Sequence, residues 1–134
     1  MIVDTSALLA ILNSEEESVL FTEKILNASK ARLSVASYIE ASLRVDRFKD
    51  PKRSRMLTDE IRKLRLVLEP VTLEQAEIAR AALHDYGRGS GHPARLNYGD
   101  AFAYALAKVY DEPLLYKGDD FSHTDVVSAL QDHE

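Results

Sequence analysis

The chain of 134 residues contains no cysteine. Disulfide staples and thiolate metal sites are therefore excluded, and the composition suits a cytoplasmic address. Histidine is scarce as well: His84, His92, His123 and His133 are the whole supply, which makes zinc a poor fit. His92 and His123 fall near a glycine-rich loop and a late acidic turn, and neither is read as a ligand. Long apolar runs are missing too. The stretch from Ala7 to Leu12 is too short for a membrane span. With Asp4 ahead of it and no basic segment in front, it is also a poor secretory signal. There is no internal repeat and no low-complexity segment.

Positive charge is in deficit overall. The formal net charge is −5, which argues against a generally basic nucleic-acid coat. The distribution is uneven, however. Between Arg44 and Arg65, nine basic residues face only Asp46, Asp50, Asp59 and Glu60, a local charge of +5. Such a stretch suits phosphates, an acidic protein partner or simply a solvated helical face. The length fits one domain, residues 1–134, able to bury roughly two thirds of its unfolded surface.

Strand-like and helix-like segments alternate. "MIV" reads as a buried strand ending at Asp4, followed by a helix over 5–13. "NSEEESVLFTEKILNAS" reads as a second helix opened by a Ser14–Glu17 capping box. "ARLSVAS" is the second strand, and a helix from Ser37 to about Phe48 ends before Asp50-Pro51. A further helix covers Pro51 to Leu66, "LVLEPV" is the third strand, and another helix opens at Thr72. "YGRGSGHPARLN" is a loop, "YGDAFAYALAKVY" a helix and "PLLY" a fourth strand, with "VVSAL" a fifth strand or a short helix. This order predicts an α/β fold, a three-layer α/β/α sandwich around a mostly parallel sheet.

Four carboxylates stand at element ends: Asp4, Glu40, Asp100 and Asp119. Each has a bland explanation. Asp4 suits a helix N-cap, Ser37-x-x-Glu40 a capping box, Asn97-x-x-Asp100 a weaker box, and Asp119 a turn. Together they carry more, because functional crevices of parallel sheets lie beyond the carboxyl ends of the strands. Unit charges 4–5 Å apart repel by about 3–4 kcal/mol at an effective dielectric near 20. A divalent cation reverses that penalty, and Mg²⁺, which favours oxygen ligands, is the natural candidate. Arg88, Arg95 and Lys117 fall near these acids in the sequence and are candidate contacts for phosphates at such a cleft.

"MIVDTSALLAIL", "SVASYIEASL", "LNYGDAFAYALAK" and "LLYKGDDFSHTD" together resemble a PIN domain of the VapC toxin ribonucleases, members of type II toxin–antitoxin pairs. The resemblance covers nearly the whole chain, with the motifs in their expected order. Ala101 departs from it, since relatives often carry cysteine after "GD". It implies metal-dependent cleavage of RNA, with the four family acids on Asp4, Glu40, Asp100 and Asp119, and Asp120 as an alternative for the last. Asp4 and Asp100 would be the principal ligands of Mg²⁺ or Mn²⁺. Ser6, in the family's D-x-S position, would hydrogen-bond a carboxylate or a metal-bound water. The resemblance also implies a homodimer and a cognate antitoxin that obstructs the acidic pocket. Residues 15–65, with Phe21, Ile25 and Phe48, are a candidate groove for that partner or part of the core. Two other readings stay open: a non-catalytic PIN-fold binding module, and a phosphotransfer receiver in which Lys117 takes the late lysine's place.

Overall fold

A computed structural model describes residues 1–131, so His133 lies outside the described residues. Four parallel strands form one sheet in the order β3-β2-β1-β4. They are β1 (Ile2–Val3), β2 (Arg32–Ser34), β3 (Val67–Glu69) and β4 (Leu114–Leu115). Chain order therefore runs outward from β1 through β2 to β3, then returns to the other flank of β1 as β4. That reversal makes the boundary between β1 and β4 the switch point of the sheet, where parallel sheets open a crevice. Asp4 leaves β1 there, and its backbone N–H donates to the Leu115 carbonyl at 2.9 Å.

Among the described residues, six helices accompany the strands: α1 (Thr5–Leu12), α2 (Ser18–Asn27), α3 (Val35–Asp46), α4 (Pro51–Lys63), α5 (Leu73–Tyr86) and α6 (Tyr98–Tyr110). The strand residues alternate between two cores. Val3, Leu33 and Leu115 pack with Leu8, Phe21, Ile25 and Leu57, beneath α1, α2 and α4. Ile2 and Leu114 pack on the other face with Leu96, Tyr104, Leu106 and Phe121, beneath α5 and α6. These are the three layers of an α/β/α sandwich. The period-two alternation of side chains in a strand lets so few residues serve both faces. Among the described residues, no helix is long and apolar enough to cross a membrane.

Several boundaries differ from the sequence reading. Ser34, whose side chain accepts from the Ala36 N–H, caps α3, so that helix starts at Val35, two residues before Ser37. Ser37 and Glu40 thus lie inside a helix and form no capping box. Ser14 does not open a box with Glu17 either: it takes a left-handed backbone at φ 52°, and α2 begins at Ser18 without a side-chain cap. By contrast, Asn97 and Asp100 make a complete box rather than a weak one, with bonds of 2.9 and 3.0 Å. "VVSAL" adds only a single parallel bridge, Leu114 to Ser128.

Phe21 and Ile25 are core residues, whereas Phe48 is 53% exposed between the guanidinium groups of Arg47 and Arg53. Of the three apolar residues considered for a partner groove, only Phe48 is accessible. Phe21→Ala is expected to cost about 3–5 kcal/mol in urea unfolding. Phe48→Ala should cost no more than about 1 kcal/mol, because it opens no cavity.

Candidate active site

Asp4 caps α1, accepting from the Ser6 N–H at 2.9 Å and from the Ser6 hydroxyl at 2.6 Å, both on Oδ2. Its other oxygen, Oδ1, is buried and has no hydrogen-bond partner among the described residues. Burial pushes the Asp4 carboxyl up to about 6; Ser6 opposes that rise and the charge of Glu40 adds to it. One oxygen is held in place and the other is left unsatisfied.

Asp100 is the third residue of α6, fixed by the same box that starts the helix. Its Oδ2 accepts from the Asn97 N–H at 3.0 Å. Burial pushes Asp100 up to about 7, and the charges of Asp4 and Asp120 contribute further. The two acids, distant in sequence, are therefore electrostatic neighbours at the β1/β4 switch point.

Glu40 enters from α3, which the Thr5 hydroxyl ties to α1 by donating to the Ser37 carbonyl at 3.3 Å. The Glu40 carboxylate lies on the backbone of Gly99, at the start of α6, where any Cβ would collide with it. Glycine permits this close approach, and a Cβ here would push the flexible end of Glu40 aside.

Asp120 adds to the rise of the Asp100 carboxyl through its own carboxyl group and its charge. Asp119 is exposed and shares a cleft of about 410 Å³ with Asp120, Arg88, Arg95 and His123. Arg95 holds a left-handed backbone at φ 55°, a strained conformation for a residue with a Cβ. His92, by contrast, is committed structurally. Its Nδ1 accepts from the Ala94 N–H at 3.1 Å and its ring meets Tyr86 edge-on. Lys117 is engaged as well: its ammonium contacts both Glu15 and Glu17.

Among the described residues, no three His, Asp or Glu side chains form a ready ion cage. The donors nonetheless fit Mg²⁺ or Mn²⁺. They are oxygens only, one of them is buried and unpartnered, and Mg²⁺ is commonly held by one or two carboxylates with water completing the shell.

A family model described as the PIN domain matches residues 1–127. The chain belongs to the PIN-domain family. Within it, this PIN domain is 52% identical over 130 residues to Ribonuclease VapC28 of Mycobacterium tuberculosis, covering 97% of this chain and 98% of that protein. Over 131 residues it is 45% identical to Ribonuclease VapC30 of the same species, covering 96% of this chain and 98% of that one. Two solved structures share its fold at 18% identity. One is the Mycobacterium tuberculosis VapC20, a Sarcin-Ricin loop cleaving toxin, with a TM-score of 0.73 over 94% of this chain and 95% of that one. The other is a toxin–antitoxin complex from Klebsiella pneumoniae, with a TM-score of 0.70 over 98% of each chain.

The raised carboxyls set a pH dependence. Asp4 binds its proton more tightly folded than unfolded, so its contribution is destabilising above both values and vanishes below about pH 4. Metal-free protein should therefore lose stability between about pH 4 and 7, about 3 kcal/mol of it from Asp4 alone. In urea titrations across this range, Asp4→Asn should flatten the slope, and Mn²⁺ should restore stability at neutral pH. Gly99→Ala should displace the Glu40 carboxylate and move its carboxyl ¹³C resonance in NMR, with little change in the melting temperature.

Proposed function

We propose that this PIN domain is the toxin of a type II toxin–antitoxin pair, a cytoplasmic endoribonuclease dependent on Mg²⁺ or Mn²⁺. The observation that carries the reading is the pairing of Asp4 with Asp100 at the switch point, with Asp4 Oδ1 buried and unpartnered. The identity to VapC ribonucleases over nearly the full chain supports the substrate class.

In this reading Asp4 and Asp100 hold the ion, and Ser6 and the Asn97 backbone fix their directions. Glu40 and Asp120 complete the acidic rim by orienting water, with Asp119 at the cleft's outer edge. A bound divalent ion would polarise a phosphoryl oxygen and lower the pKa of an attacking water. Arg88 and Arg95, both exposed on the cleft, receive the RNA backbone and offset the charge of the acids. Lys117 takes no part in that contact, because Glu15 and Glu17 occupy its ammonium. Hydrolysis leaves a 5′-phosphate and a 3′-hydroxyl, with no covalent intermediate on the protein.

The partner is an antitoxin whose basic side chain enters the acidic centre in place of metal, and the toxin itself works as a homodimer. A groove of about 420 Å³ lined by Leu9, Leu12, Arg44, Phe48, Arg53 and Met56 offers that partner both apolar and cationic contacts. Arg44, Arg47 and Arg53 of the +5 segment line it.

The test is cleavage of a structured RNA with Mg²⁺. Asp4→Asn and Asp100→Asn should each reduce the rate by at least about 100-fold with the fold intact by circular dichroism. Full cleavage by either folded variant would remove that residue from the mechanism. Arg88→Ala and Arg95→Ala should mainly raise KM for RNA, and the loss should shrink as salt is added.

A further inference from the structure

Two segments of the acidic centre meet at Lys117. Its backbone N–H donates to Ser6 Oγ at 2.9 Å, and that hydroxyl donates to Asp4 Oδ2 at 2.6 Å. One residue further on, Gly118 turns the chain through φ +98°, a left-handed step that carries it toward Asp120 and its contact with Asp100. The side chain runs the other way. Its ammonium contacts Glu15 and lies 3.0 Å from Glu17 Oε2. Both glutamates sit in the connection between α1 and α2, which is itself pinned. The Glu15 N–H donates to the Ala10 carbonyl and the Ser18 N–H to the Glu15 carbonyl, each at 2.9 Å.

We infer that Lys117 is a positioning residue, an ionic latch between β4 and the α1–α2 connection that aims the acidic centre through the main chain. The assignment rests on the reading of that centre as a metal-dependent nuclease site. With the ammonium held between two carboxylates, the Lys117 N–H is presented to Ser6, the Ser6 hydroxyl is committed to Asp4 Oδ2, and Oδ1 is left to face the ion. The same anchor fixes where the Gly118 turn begins, and hence where Asp120 arrives. An exposed ion pair contributes little stability by itself, so the latch acts on direction more than on folding. Groups that orient metal ligands without touching the metal typically change affinity by about 10–100-fold when removed.

Opposite consequences follow if Lys117 is instead a phosphate contact. Neutralising Glu15 and Glu17 would then release the lysine and strengthen RNA binding; under the latch it disorders the site. Three variants of the full chain separate the two: Lys117→Met, Glu15→Gln combined with Glu17→Gln, and Lys117→Arg. In metal-free protein, amide exchange at position 117, followed by NMR, should quicken about tenfold in the first two variants and stay near wild type in the third. Calorimetry should show Mn²⁺ binding weakened about tenfold in the same two, with kcat reduced and KM for RNA unchanged. Unchanged exchange in the glutamine double variant, or a lower KM there, overturns the latch. The double variant carries the test if Lys117→Met fails to fold. Should wild-type protein bind no Mn²⁺ while the exchange rates respond as described, the metal reading falls and the latch stands.

Discussion

Like charges forced together in a poorly hydrated place are the constraint around which this molecule is arranged. Asp4 and Asp100 each lose solvation and each raises the cost of ionising the other. A polypeptide selected for stability alone would put an amide or an apolar group at one of the positions. Keeping both acids means that the fold tolerates an internal repulsion that a divalent cation or a basic side chain would relieve. In the proposed function, catalysis and inhibition draw on the same unsatisfied charge, and the occupant that neutralises it decides between them.

The scaffold meets this constraint with helix starts. Asp4 caps α1 and Asp100 belongs to the box that opens α6, so each carboxylate is oriented by backbone N–H groups rather than by long side chains. Helix N-termini also favour negative charge, which offsets part of the desolvation. Capping and ligation are therefore compatible, because a carboxylate has two oxygens and a cap needs only one. Glu40 works differently. It approaches from the side of α3, and its place depends on the missing side chain of Gly99.

Much of this could be read from the sequence because it is written in local patterns. The strand–Asp–helix handover at Asp4 and the Asn97-x-x-Asp100 spacing each occupy a few consecutive residues. The alternation of elements was enough to give a parallel sandwich. What escaped were features decided by tertiary contact. Ser37 and Glu40 fit a capping box on paper, but Ser34 starts α3 first and leaves both inside the helix. Phe21 and Phe48 look alike in a string of letters, yet one is core and the other lies exposed between arginines. Adjacent acids such as Asp119 and Asp120 read alike in sequence, and only the turn at Gly118 sets the direction in which each leaves the chain. Lys117 looked like a free cation because its glutamate partners are about a hundred positions away.

The position of β1 also affects when the protein becomes a finished machine. Its two residues form an interior strand of the sheet, flanked by β2 and by β4, the latter contributed from far along the chain. Contacts of such high sequence separation form late, and on a ribosome they cannot form until the distal strand has emerged. Asp4 is therefore made well before Asp100, the acid on which its charge acts. An acidic centre built this way stays unassembled until the distal segments have been synthesised and have folded back onto β1.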